Sequence, residues 1–138
     1  MIKKSIVSLC FALAIAGATT CAIAQDNSWS DWVQLRRATP LSPVSVYYKT
    51  KVNNDEIRVV WRCVNEGSEV KSCSVGSGQN KIYNCFSGYS NVGTTEALAE
   101  RATVAPGDEY VFVSEPACQG LGADSLNAEV QVTIEDGV

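Results

Sequence analysis

Residues 44–65 read VSVYYKTKVNNDEIRVVWRCVN, and this stretch decides the fold class. Apolar side chains recur at every second position on both sides of Asn53-Asn54-Asp55, which is the spacing of strands that bury one face. Asn and Asp also tolerate the left-handed backbone that a tight turn needs. The stretch therefore predicts two long antiparallel strands joined as a hairpin, with Trp61 and Cys63 on the same, buried face.

The rest of the chain continues this pattern, because further apolar or alternating segments are separated by Gly, Pro and Asn turns. We predict about seven strands in all. Residues 96–101, Glu-Ala-Leu-Ala-Glu-Arg, are good helix formers, and we expect a short helical turn there. Strands do not alternate with long helices, so the chain is predicted to be all-β, an antiparallel β-sandwich of immunoglobulin-like architecture. A five- or six-stranded barrel is the alternative. The Cys and Trp spacing of true immunoglobulin domains is absent, since Trp61 precedes Cys63.

The first 24 residues have the features of a secretory signal peptide. Lys3 and Lys4 precede an apolar run, residues 6–16, and Ala22-Ile23-Ala24 is a small-x-small cleavage site. The apolar run is too short for a membrane anchor, which needs about 20 residues. We therefore predict cleavage after Ala24, a single domain over residues 25–138 and no stable membrane insertion after cleavage. The signal is typical of bacteria, and the mature protein is expected to be periplasmic or secreted.

Four cysteines follow the predicted signal peptide: Cys63, Cys73, Cys85 and Cys118. In an exported chain of this length they predict two disulfides. A zinc site is the alternative, but such sites present close Cys-x2-Cys pairs, which this chain lacks. A hairpin centred on Ser68 would place Cys63 opposite Cys73, so we predict that pair together with Cys85–Cys118, although a loop between Cys73 and Cys85 would also allow those two to pair.

Composition excludes several functions. The chain has no His, which excludes Ser-His-Asp and Cys-His catalysis and His metal ligands. Its net charge of −4 does not favour nucleic acid as a partner. The paired carboxylates lie in predicted turns or at the C-terminal tail, where solvated acids are common. We therefore expect no enzymatic activity, no metal and no cofactor.

Aromatic and basic residues in the predicted loops and on one strand are the candidates for binding. Aromatic rings stack on sugars and anchor protein interfaces, and paired arginines can contact an acidic partner. These features predict an exported, non-catalytic interaction module that recognises a protein or a glycan. The alternatives are a structural subunit of an extracellular assembly, which would donate residues 25–30 as a strand, and a small carboxylate-dependent hydrolase. The candidate binding residues are Trp29, Trp32, Arg36, Arg37, Tyr47 and Tyr89.

Overall fold

A computed structural model of the chain describes residues 22–23, 28–76, 78 and 80–137. This part is all-β, with antiparallel pairing throughout and no helix, so no helix in it could span a bilayer. Apart from Ala22 and Ile23, the predicted signal peptide lies outside the described residues. The strands are β1 Ala22–Ile23, β2 Val33–Arg36, β3 Val44–Asn53, β4 Glu56–Asn65, β5 Lys71–Val75, β6 Lys81–Ser87, β7 Ser90–Ala97, β8 Glu100–Val104, β9 Glu109–Val111, β10 Glu115–Ala117, β11 Ser125–Glu129 and β12 Val132–Asp136.

These strands form three sheets, and the sheets do not close into a barrel. The first has the order β1-β11-β6-β7, and the third has the order β12-β5-β8. The second sheet has the order β10-β4-β3-β2, and β9 also pairs with β4. Its centre is the predicted β3–β4 hairpin, which is confirmed: ten consecutive residue pairs join Val44–Asn53 to Glu56–Asn65.

The turn of this hairpin is as short as the sequence predicts. Asn53 pairs with Glu56, so only Asn54 and Asp55 lie between the two strands. Asn54 has a φ of 59°, in the left-handed region that Asn adopts more readily than most residues.

The expectation of about seven strands is wrong, because the described residues form twelve, the first of only two residues. Residues 87–95 are rich in Gly and small polar residues, yet Ser90–Ala97 is a strand, β7, at the edge of the first sheet. Its small polar residues do not alternate in polarity, since neither of its faces is fully buried. The alternating residues 128–134 are divided between β11 and β12, which belong to different sheets.

The short helical turn expected at residues 96–101 is absent. Glu96 and Ala97 end β7 and pair with β6, whereas Glu100 and Arg101 begin β8 and pair with β5. The intrinsic helix preference of these residues is small, and pairing with two neighbouring strands overrides it.

Strand alternation builds the hydrophobic core. Tyr48 on β3 lies opposite Trp61 on β4, with ring centroids 5.0 Å apart. Across the core, the indole Nε1 of Trp61 donates a hydrogen bond of 2.7 Å to the Tyr83 hydroxyl, which joins the second sheet to the first. The other buried apolar side chains include Val44, Val46, Ile57, Val59, Val75, Val104, Phe112 and Leu126.

Both predicted disulfides are confirmed. Cys63 bonds to Cys73 with a Cα–Cα distance of 6.5 Å, and Cys85 bonds to Cys118 with a distance of 5.8 Å. All four residues are buried. Because the thiols are consumed, they cannot form the alternative zinc site. Two disulfides also indicate an oxidising, extracellular compartment.

The geometry proposed for the first disulfide is nevertheless wrong. Cys63 does not face Cys73 across a hairpin, since its neighbours in the second sheet are Val46 and Tyr110. Cys73 belongs to β5 in the third sheet, where Ile134 is one of its neighbours. The disulfide therefore joins two sheets rather than two adjacent strands.

Candidate functional site: a cation–aromatic ladder

The outer face of the second sheet carries alternating aromatic and cationic side chains. On β3, Tyr48 and Thr50 point into the core, so Tyr47, Lys49 and Lys51 point away from it and remain partly exposed. Arg62 lies opposite Tyr47 on β4, on the same outer face.

The segment before β2 brings two tryptophans onto this face. The Ser30 backbone N–H donates to the Thr50 carbonyl at 2.8 Å, and the Thr50 N–H donates to the Ser30 hydroxyl at 3.0 Å. After Trp32, Val33 pairs with Tyr48. These contacts hold residues 29–32 along the edge of β3, and both indole rings lie beside its lysines.

The six side chains Trp29, Trp32, Tyr47, Lys49, Lys51 and Arg62 form one continuous series, which we call the ladder. The Lys51 Nζ lies 5.3 Å and the Lys49 Nζ 5.5 Å from the centroid of the Trp29 ring. Lys49 Nζ is also 4.6 Å from the Trp32 ring. The guanidinium carbon of Arg62 is 4.4 Å from the Trp32 ring and 4.5 Å from the Tyr47 ring. All five distances lie within the range of cation–π attraction, about 6 Å.

Pairing across four strands fixes one end of the ladder. Gln34, Tyr47, Arg62 and Val111 occupy successive positions on β2, β3, β4 and β9. The Gln34 amide donates to the Tyr47 hydroxyl at 3.2 Å. Arg62 also approaches a carboxylate oxygen of Glu109, at 3.5 Å. These contacts restrict the rotamers of Tyr47 and Arg62.

The positive charge of the ladder is only partly neutralised. Among the described residues, no carboxylate oxygen lies within 4.0 Å of the Nζ of Lys49 or Lys51, so these two ammonium groups face aromatic rings instead of counter-ions. Glu109, which is half-exposed, is the one described carboxylate within 4.0 Å of Arg62, and within the described part of the chain the Arg62 Nε is buried without a hydrogen-bond partner. The ladder can therefore supply positive charge to an anionic ligand.

The structure brings together three of the six residues predicted from sequence: Trp29, Trp32 and Tyr47. Arg36 instead bonds through its guanidinium to the Ser42 hydroxyl, and Arg37 is exposed outside the ladder. Tyr89 lies in the turn between β6 and β7 in the first sheet and is 69% exposed. The predicted candidates thus do not form a single site.

Sequence reasoning missed the ladder's three cations. Alternation alone puts Lys49 and Lys51 on one face of β3, and Arg62 on the face of β4 that Cys63 does not share. The register that sets them against the tryptophans depends on long-range pairing with residues 29–36. No motif in the sequence encodes that pairing.

A second cluster of charged residues, also missed, surrounds a buried lysine. Lys81 is completely buried, and its Nζ lies 2.8 Å from a carboxylate oxygen of Glu100 and 2.9 Å from one of Glu115. The Tyr83 hydroxyl donates a hydrogen bond to Glu115 and accepts the one from Trp61. Burial, together with the negative charge of Glu115, raises the pKa of Tyr83 above its ordinary value. We call Lys81, Tyr83, Glu100 and Glu115 the buried ion cluster.

Strand alternation contained a signal for this cluster. Lys81, Tyr83 and Cys85 alternate along β6, so a buried Cys85 implies that Lys81 also points inward. A buried lysine requires carboxylate partners, and here it has two. Because every polar group of the cluster is occupied by another member or by Trp61, its arrangement is that of a structural network that joins strands of different sheets.

Comparisons of the chain with protein-family models, with curated proteins and with solved structures found no match.

Proposed function

We propose that the protein is an exported, non-catalytic binding module and that the ladder is its recognition surface. One observation carries the proposal: Lys49 and Lys51 sit against indole rings on an outer sheet face without a carboxylate partner within 4.0 Å among the described residues. Cations that have aromatic rings but no described carboxylate beside them favour a ligand that brings negative charge.

Two features support the exported location. The disulfides are typical of proteins outside the reducing cytosol. The leader sequence of residues 1–24 supports passage through a bacterial secretion system to the periplasm or the medium. An immunoglobulin-like sandwich is also part of the proposal, and the hydrogen bond between Trp61 and Tyr83 across two sheets supports two packed layers.

The alternative function, a structural subunit that donates residues 25–30 as a strand, has less support. Ser30 already bonds to Thr50 of the same chain at two points, so this part of the arm completes the protein's own sheet. Hydrolysis by carboxylates also has less support, because Glu100 and Glu115 are both engaged by Lys81.

The test is binding of the folded, disulfide-bonded protein to immobilised anionic and neutral polymers, measured by biolayer interferometry at low salt. We expect binding to at least one anionic polymer. Trp32→Ala and Lys49→Gln should each weaken it by about tenfold, since each removes one rung of the ladder and the loss is equivalent to about 1.4 kcal/mol. Lys49→Arg should retain binding, because it preserves both the charge and the contact with the indoles.

Tyr89→Ala is the matched control, since it removes an exposed aromatic ring from a different sheet and should not change binding. Circular dichroism checks that each variant is folded. The proposal is rejected if the parent protein binds none of the polymers, or if the ladder variants bind as well as the parent.

A further inference from the structure

We propose that the ligand of the ladder is a linear acidic polysaccharide, a sugar chain that carries carboxylate or sulfate groups at regular intervals. This proposal rests on the binding function proposed above. Three features of the ladder favour this ligand: its rings are already occupied, its cations are restrained, and the surrounding face is not apolar like the centre of a protein interface.

The aromatic rings of the ladder are already in use. Trp29 is approached by Lys49 and Lys51, and Trp32 is approached by Lys49 and Arg62. A neutral sugar that stacks on either indole has to compete with two cations for the π-surface. The ladder is therefore a poor stacking platform for neutral sugars, and its cations, rather than its rings, are the groups with unused binding capacity.

The cations are held in fixed order along the sheet. Lys51, Lys49 and Arg62 alternate with the rings of Trp29 and Trp32, and each cation is restrained by at least one ring. Lysine normally loses rotamer freedom when it is immobilised, and here part of that loss precedes binding. A row of pre-ordered cations suits a stiff polymer whose charges also recur at fixed intervals.

The same face lacks the usual features of a protein interface. The centres of protein interfaces are apolar and depleted in lysine, whereas two of the ladder's three cations are lysines. Val60, the apolar residue directly opposite Lys49, is only 7% exposed and offers little surface to a partner. These observations favour a polysaccharide over an acidic protein segment.

The experiment compares four polymers of similar length by isothermal titration calorimetry: alginate oligosaccharides, heparin oligosaccharides, poly-L-glutamate and single-stranded DNA. Alginate carries carboxylates, whereas heparin carries sulfates as well. Comparing the two therefore shows whether carboxylates suffice for binding or sulfates are needed. Alginate whose carboxylates have been reduced to alcohols keeps the sugar chain without its charge and serves as the control ligand.

We expect at least one acidic polysaccharide to bind at least tenfold more tightly than poly-L-glutamate or DNA. The double variant Lys49→Gln/Lys51→Gln should lose at least tenfold in affinity, whereas Tyr89→Ala should keep the affinity of the parent protein. Reduced alginate should not bind. Affinity should fall as salt rises, because the contacts are ionic.

Each other result overturns the inference in a distinct way. Equal or tighter binding of poly-L-glutamate or DNA refutes the polysaccharide class but leaves the binding function of the ladder standing. Equal binding of reduced alginate shows that sugar stacking, not charge, is used. Failure of all four charged polymers, or binding that the lysine variants do not change, refutes the proposed function of the ladder together with this inference.

Discussion

At the scale of single residues, Lys81 is a buried charge on which we expect stability to depend. It is fully buried between Glu100 and Glu115, and removing it leaves two carboxylates without their cation. We expect Lys81→Met to lower the free energy of unfolding by about 2–3 kcal/mol, measured by urea denaturation, which is less than for a fully buried pair because the Glu100 side chain is 36% exposed. Adding Glu115→Gln should recover part of that loss. If Lys81→Met is neutral, the buried ion cluster does not contribute net stability.

A matched control for Lys81→Met is Arg101→Met. Arg101 pairs with Glu135 at 3.9 Å, but both side chains are more than half exposed. Solvent weakens such a pair, so its loss should cost no more than about 1 kcal/mol.

The buried tyrosines make stability depend on alkaline pH. Burial raises the pKa of Tyr48 to about 12, although a backbone hydrogen bond from Ala128 opposes this. In the unfolded chain the same phenol ionises near pH 10. The folded state therefore keeps a proton that the unfolded state releases, and the stabilisation is complete below about pH 10 and is lost between about pH 10 and pH 12.

We expect the free energy of unfolding to fall by up to about 1.4 kcal/mol per pH unit for each such tyrosine once the pH exceeds about 10. Tyr83 adds to this effect, because its pKa is also raised. Urea denaturation at about pH 9 and pH 11 measures the fall. Tyr48→Phe should reduce it and Tyr89→Phe should not. A pH-independent free energy across that interval would contradict the prediction.

At the scale of secondary-structure elements, the two disulfides differ in the length of chain that they close. The bonded cysteines are 10 residues apart in one disulfide and 33 in the other. Since all four cysteines are buried, the packing lost on mutation is similar. Restriction of the unfolded chain grows with loop length, so we expect Cys85→Ala/Cys118→Ala to destabilise the protein by about 1 kcal/mol more than Cys63→Ala/Cys73→Ala.

Thermal unfolding followed by circular dichroism orders the two double variants. If the Cys63 and Cys73 variant is the less stable, the disulfide acts mainly by holding the second and third sheets together in the folded state, and the chain-entropy account is wrong for this protein.

The individual strands show which parts of the fold can be predicted from sequence patterns. Alternation predicts β3 and β4 closely because each buries one face along its whole length. Alternation does not predict β7, because pairing with β6, rather than the pattern of its own side chains, makes these residues a strand. The cysteine pairing is predicted correctly for an incorrect reason, since Cys63 and Cys73 lie in different sheets. The ladder is predicted only in part, because its assembly needs the pairing of β2 with β3.

At the scale of the whole molecule, one shared core predicts one unfolding transition. Residues of all three sheets belong to the same buried cluster, including Trp61, Cys73 and Tyr83. Of the chain's three tryptophans, the variant Trp29→Phe/Trp32→Phe leaves only Trp61. We expect its fluorescence and its far-ultraviolet circular dichroism to change at the same denaturant concentration. Separate midpoints would show that the sheets unfold independently.

Total charge is a poor guide to this molecule's surface. The net charge of −4 indicates a protein that repels polyanions, yet Lys49, Lys51 and Arg62 gather on one face. Fields from distant carboxylates are largely screened beyond about 8 Å at physiological salt. Local arrangement, which composition does not reveal, therefore decides what the face attracts.

The lysines beyond residue 28 have a practical consequence for handling the protein. Lys49 and Lys51 lie against indoles, Lys71 lies 2.7 Å from an Asp136 oxygen, and Lys81 is inaccessible. Besides the α-amino group, amine coupling would therefore modify the ladder or Lys71, and acylation of Lys49 or Lys51 would remove positive charge from the proposed binding surface. Attachment through the abundant exposed carboxyl groups, or through a C-terminal tag, would leave that surface intact on a sensor chip.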